Sequence, residues 1–130
     1  MKRLLSVLAF SVMLAGAAQA QQPDFGPPVA GPAVAGLDGR WEGSIDTPEG
    51  SLPGVFRIST AGDKTTTLMD SPSQGAIGIP AIAKRDGASI VIDMPIVGGS
   101  LTGELSADGA TIKGAWHQNG MDFPLVLTRK

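Results

Sequence analysis

The sequence predicts an all-β fold: a small antiparallel up-and-down β-barrel of about eight strands, placed after a signal peptide and a Pro/Gly-rich leader. Three observations lead there. One unit recurs, in which a large apolar residue, a gap, a glycine, a gap and a second large apolar residue follow one another. It stands at Trp41-x-Gly43-x-Ile45, Leu101-x-Gly103-x-Leu105 and Ile112-x-Gly114-x-Trp116. Side chains alternate across a strand, so each unit sets two bulky groups and one glycine on a single face. Large and small residues alternating on the inner side suit a tightly curved, closed sheet. The second observation is that no ten-residue run from Leu37 onward keeps a helical period, whereas period-two alternation recurs between turn formers. The third is the shortness of the connections, which favours antiparallel neighbours because parallel pairs need long crossovers. A sheet of about eight strands with such an inner face closes into a barrel just wide enough for side chains or one small ligand.

Residues 1–20 read as a secretory signal peptide. Lys2-Arg3 is a basic head, Leu4 to Ala15 a short apolar core, and Ala18-Gln19-Ala20 an A-x-A processing site. A membrane-spanning helix needs about 20 apolar residues, and this run is shorter. Cleavage after Ala20 makes the mature protein periplasmic or secreted, with no stable membrane insertion. The chain has no cysteine, which excludes disulfides, thiolate metal sites, cysteine nucleophiles and lipid attachment through cysteine. Losing Lys2 and Arg3 leaves eight Lys and Arg against twelve Asp and Glu, a formal charge of −4. That balance, without a basic patch, argues against nucleic acid or an anionic membrane as partner.

Residues 21–36 form the leader, QQPDFGPPVAGPAVAG, with four prolines, three glycines and no apolar period. Such a composition predicts an extended, flexible connection that adds nothing to a core. The barrel domain is expected over residues 37–130. Arg40 to Asp46 is the first strand, with Trp41, Gly43 and Ile45 inward, and Leu52 to Ser59 the second, with Leu52, Gly54, Phe56 and Ile58 on one face. Thr65 to Met69 is β-branched enough for a third. Ile77 to Lys84 is a weaker fourth, because Gly78 and Pro80 fit only an edge or a bulge. Ser89 to Asp93, Ser100 to Leu105, Ala110 to Gln118 and Asp122 to Thr128 complete the set. The turns between them are rich in Gly, Pro, Asp and Ser, which supply the required backbone angles or bond their own backbone.

Two resemblances add to this reading. Gly39-Arg40-Trp41 is a G-x-W start, and Phe123, Leu125, Leu127 and Arg129 share one parity in the last strand. This resembles the calycin barrels, in which a Trp on the first strand packs under an Arg from the chain's end. The resemblance implies a cation–π contact between Trp41 and Arg129, of order 0.5–2 kcal/mol. Trp41-Glu42-Gly43, Ser71-Pro72-Ser73-Gln74-Gly75, Gly114-Ala115-Trp116-His117-Gln118-Asn119-Gly120 and Pro124-Leu125-Val126-Leu127 recur in another setting. They look like the small β-domain between signal peptide and catalytic domain in certain secreted bacterial serine hydrolases of the α/β type. That resemblance implies an accessory role beside a hydrolase. No G-x-S-x-G nucleophile elbow occurs here, so the family's catalytic residues carry over to no position.

The candidate site residues are Ser71, Gln74, His117, Gln118 and Asn119. Ser71 and Gln74 lie in the most unusual polar segment, and Gln118 and Asn119 are expected to converge on it from the last hairpin, at one barrel mouth. Turn chemistry accounts for most residue types in that segment equally well. His117 is the one histidine, beside Trp116 with outward parity, and the scattered carboxylates do not complete a metal site around it. No catalytic set, metal or cofactor is expected. Met69, Met94 and Met121 read as core or rim fillers. The functional expectation is an exported, non-catalytic binding or interaction module, for a protein partner or a small molecule. A free-standing hydrolase accessory domain and a small apolar-ligand carrier are the alternatives. Bulky aromatics facing glycines interdigitate, so a mostly filled barrel with a shallow pocket near Gln74 and Gln118 is expected.

Overall fold

The computed structural model describes residues 25–130. The signal peptide at residues 1–20 and the first part of the leader lie outside the described residues. The described residues form nine strands and no α-helix: β1 (Ala30–Pro32), β2 (Gly39–Thr47), β3 (Gly50–Ala61), β4 (Lys64–Ser71), β5 (Ala76–Asp86), β6 (Ser89–Met94), β7 (Gly99–Leu105), β8 (Thr111–Gln118) and β9 (Met121–Arg129). Strands β2 to β9 pair antiparallel with their sequence neighbours, and β9 returns to β2, closing an eight-stranded barrel. Each expected strand is present, two to four residues longer in most cases, with the expected face inward.

One end of the barrel, the base, is closed by the chain's own ends. Trp41 is fully buried, and its indole N–H donates to the Leu37 carbonyl at 2.9 Å. The Arg129 guanidinium lies over the Trp41 ring at 4.4 Å from its centroid. Its nitrogens also donate to the carbonyls of Gly36, Asp38 and Gly109, at 2.7, 2.5 and 2.9 Å. Trp41 and Arg129 are opposite residues in the β2–β9 ladder, so this contact caps the closing seam. On the next loop of the base, the Ser106 hydroxyl and the Ala110 amide both donate to the Asp108 carboxylate and hold its pKa below the ordinary value.

The glycines of the recurring unit serve close strand approach. A Cβ on Gly43 would lie 2.1 Å from the Val126 carbonyl oxygen, and one on Gly114 1.9 Å from that of Thr102. Both glycines face another glycine across a ladder, Gly43 opposite Gly54 and Gly114 opposite Gly103. Two adjacent strands therefore bend inward together where side chains would otherwise hold them apart. Trp116 uses the same device, because a Cβ on Gly99 would lie 2.3 Å from its ring.

The fourth barrel strand carries the irregularity its Gly78 and Pro80 predict. The β4–β5 register shifts between Met69 and Ser71, and Gly78 sits at φ 80°. Asp70 pins this bulge. Its carboxylate accepts two bonds from Arg57, at 2.8 and 2.9 Å, and a third from the Gly78 amide at 2.8 Å. The paired carboxylate raises the pKa of Arg57 above the ordinary guanidinium value.

The leader is where the structure departs from expectation. Its last third packs on the barrel instead of trailing from it. Strand β1 pairs with Lys64–Thr66 of β4, the Ala33 amide donates to Asp63, and Val34 is buried. Arg85 donates to the Ala35 carbonyl at 2.8 Å, next to the Gly36 carbonyl taken by Arg129. Proline and glycine forbid a long strand but not a three-residue one whose donors and acceptors meet a free edge.

Two outcomes are expected in urea denaturation followed by tryptophan fluorescence. Arg129→Ala loses about 1–2 kcal/mol and Trp41→Ala about 3–5 kcal/mol. A Trp41 variant as stable as the parent would show that the base is not closed by this contact. A chain beginning at Leu37 loses about 2 kcal/mol or more relative to the mature chain, from Val34 burial alone. Equal stability of the two would make the leader a passive tether.

Candidate functional site

The other end of the barrel, the mouth, carries the connections β2–β3, β4–β5, β6–β7 and β8–β9. Two of them are built alike. Pro72–Gln74 and Pro95–Val97 each make one 3₁₀ turn, opened by proline and stopped by a left-handed glycine, Gly75 at φ 70° and Gly98 at φ 67°. Proline presets the first φ and has no N–H to leave unpaired, and glycine alone enters the left-handed region without strain. The two turns stand on either side of a small depression over the barrel core.

Three of the five sequence-derived residues meet at this depression. Ser71, Gln74 and Gln118 line it, over a floor that includes Met69, Trp116 and Phe123. Their polar groups are engaged with one another and with the rim. The Ser71 hydroxyl donates to the Gln74 side-chain carbonyl at 2.7 Å. Gln118 donates to the Val97 carbonyl at 2.7 Å and accepts from the Trp116 indole at 3.2 Å. Gln118 thus ties the second 3₁₀ turn to the core tryptophan. The cavity volume is about 40 Å³. One water needs on the order of 10–15 Å³, and a drug-sized ligand pocket roughly 300–1,000 Å³. The space suits a few waters or the tip of one side chain.

His117 and Asn119 do not line the depression: His117 lies on the outer face, as its parity predicts, and Asn119 sits in the β8–β9 connection at the mouth. Asn119, at φ 55°, and Gly120, at φ 76°, are the two central residues of the β8–β9 hairpin turn. A two-residue turn with both φ positive favours this Asn-Gly pair, so the turn accounts for Asn119. His117 points to the outer face because its parity is opposite to that of Trp116 and Gln118. There it joins two residues that sequence reasoning did not single out. Thr102 Oγ1 lies 2.7 Å from His117 Nε2, and Asp122 Oδ1 lies 2.5 Å from Nδ1. A neutral imidazole protonated at Nδ1 donates to Asp122 and accepts the Thr102 hydroxyl proton. The row links β7, β8 and β9 across two ladders. Asp122 is directly opposite His117 in register, while Thr102 is two residues off its opposite residue Ser100.

The second 3₁₀ turn was also missed as a part of the mouth. Its signal was present in the sequence, since Pro95-Ile96-Val97-Gly98 repeats the Pro-x-x-Gly frame of Pro72-Ser73-Gln74-Gly75.

Beyond the mouth, the described surface has one further discontinuity. The β4–β5 ladder ends at Thr67 opposite Ala81, and toward the base the two strands splay. β1 enters the gap but pairs only with β4. Between residues 32–35 and residues 83–85 a cavity of about 320 Å³ remains. At the last β4–β5 pair, Thr67 Oγ1 is fully buried and has no partner, the one such side-chain atom among the described residues. No family model matches this chain, and no curated protein matches it in sequence.

The mouth analysis gives a direct expectation. Gln118→Ala frees the Trp116 indole and the Val97 carbonyl, so it shifts Trp emission to longer wavelength and costs about 1–2 kcal/mol. An unchanged emission maximum would show that Gln118 does not hold the rim.

Proposed function

We propose that this protein is an exported, non-catalytic interaction module that engages a partner protein through the outer surface of its barrel. The observation that carries the reading is the filled interior. Trp41, Phe56, Ile92, Met94, Leu101, Ile112 and Leu127 are all buried to within 1 % of full burial. The depression over them at the mouth has a volume of about 40 Å³; Ser71 and Gln74 there are bonded to each other, and Gln118 to Val97 and Trp116. A carrier of fatty acid, retinoid or haem needs a cavity roughly ten times larger. What is left for recognition is the outer surface. Export follows from the A-x-A-terminated apolar segment at the N-terminus. The resemblance of Ser71 to Gly75 and Gly114 to Gly120 to a hydrolase-associated β-domain makes a secreted hydrolase the first partner to test.

The experiment has two arms on the mature protein. Mass spectrometry of the exported chain is expected to find Gln21 as its first residue. Fluorescence titration with oleate, retinol and haem is expected to show no binding tighter than about micromolar, whereas stoichiometric submicromolar quenching of tryptophan would replace this reading with a ligand carrier.

A further inference from the structure

The splayed seam between β1 and β5 has features of a strand-addition site. The β5–β6 hairpin turns through two residues, Gly87 at φ 62° and Ala88, between the paired residues Asp86 and Ser89. The pair flanking a two-residue turn is hydrogen-bonded, and pairs then alternate along an antiparallel ladder. Asp86, Lys84 and Ile82 therefore spend their backbone groups on β6. Ala83 and Arg85 direct their N–H and C=O the opposite way, toward the seam. Further along β5, the same alternation gives Ala81 and Ile79 their β4 partners, Thr67 and Met69. Among the described residues no strand pairs with Ala83 or Arg85 on the seam side. Ala83 is 97 % buried, with 3 % of its surface exposed, and it lines the cavity of about 320 Å³. Backbone donors and acceptors at such depth need partners.

The charge of the seam says what kind of strand fits. Lys84 and Arg85 line it, and neither forms an ion pair among the described residues. Arg85 is held by neutral carbonyls alone, those of Gly87 at 2.7 Å and Ala35 at 2.8 Å. In a mature chain of formal charge −4 this is an uncompensated cationic spot beside a free strand edge. β1, the strand now guarding the edge, is three residues long and pairs only on its far side. We infer that the seam receives an extended, acidic peptide segment of the partner protein, which adds a strand to the free edge of β5 at Ala83–Arg85 and sets the carboxylates of its outer face against Lys84. This rests on the surface-interaction reading above and names the surface and the chemistry of the partner.

The probe is the acetylated and amidated peptide Glu-Val-Glu-Val-Glu, with Lys-Val-Lys-Val-Lys as its charge-reversed control. In ¹H–¹⁵N spectra of the mature protein, the acidic peptide is expected to shift the Ala83 and Arg85 amides and slow their hydrogen exchange. The basic peptide is expected to bind at least about ten-fold more weakly, by charge complementarity. Ala83→Pro removes the seam-facing N–H without touching the β6 ladder and is expected to abolish the effect. Lys84→Glu, on an exposed side chain, is expected to weaken the acidic peptide at least about ten-fold whether or not the proline variant folds. The inference is overturned if the acidic peptide produces no shifts, if the shifts map to the mouth or another face, or if Lys84→Glu binds as the parent does. A partner captured equally by parent and Lys84→Glu would sink the seam and leave the surface module standing. Acidic-peptide binding at Ala83 and Arg85, with no partner captured by the parent, would do the reverse.

Discussion

The stacking of Arg129 on Trp41 is the contact on which the barrel's closure depends. A closed sheet needs its first and last strands to find each other, and these two are separated by the whole meander. Trp41 and Arg129 sit opposite each other in the closing ladder, so the contact forms only when the register is right. A slip by one residue would turn Trp41 to solvent and the whole inner face of β2 with it. The guanidinium then does a second job with its remaining donors, which reach carbonyls of the leader and of the β7–β8 loop. One side chain thus fixes both ends of the chain and the loop beside them. Planar, multiply donating and always charged, arginine suits this role in a way lysine does not.

Closure at β2–β9 moves the imperfection to β4–β5. The β4–β5 register shifts where Gly78 takes a positive φ and its amide donates to Asp70. The Arg57–Asp70 pair holds the mouth half of that seam together. Bonded at both carboxylate oxygens to Arg57 and at one of them also to a backbone amide, Asp70 acts as a structural carboxylate. The base half has no equivalent, and there the leader intervenes. The strand order follows from this division of one interstrand gap into two halves, one bonded and one occupied. Pro80 belongs to the same arrangement. It lies beyond the β6 ladder, which begins at Ile82 opposite Asp93, so its missing N–H costs no hydrogen bond.

The barrel strands were legible because each carries its own alternation: Trp41-x-Gly43-x-Ile45 names its inner face without reference to any neighbour. The Trp41–Arg129 contact was legible through the G-x-W start and the parity of Arg129 only by resemblance to the calycin barrels. β1 was not, since three residues, Ala30-Gly31-Pro32, carry no period, and only the free edge of β4 makes them a strand. At the mouth, the polar turn segment and the last hairpin pointed to Ser71, Gln74 and Gln118, which line one depression, while the type of Asn119 fits a turn and a rim equally. The Thr102–His117–Asp122 row was hidden for a different reason. It depends on diagonal and direct neighbours across two ladders, and sequence alone gives strands but not their mutual register.

The packed core and the open seam differ in where the sequence places glycine pairs. Gly43 opposite Gly54 and Gly103 opposite Gly114 are glycine pairs that let neighbouring backbones approach closely, and Trp41 and Trp116 bury their rings in the core. Between β4 and β5 toward the base there is no such pair: Thr65 and Thr67 face inward on one side and Ala81 and Ala83 on the other, all with a Cβ. The sheet parts there instead, leaving Thr67 Oγ1 without a partner and the Ala83 and Arg85 backbone without a strand. The core is drawn together at the glycine pairs, and the edge of β5 is left available where the β4–β5 ladder ends.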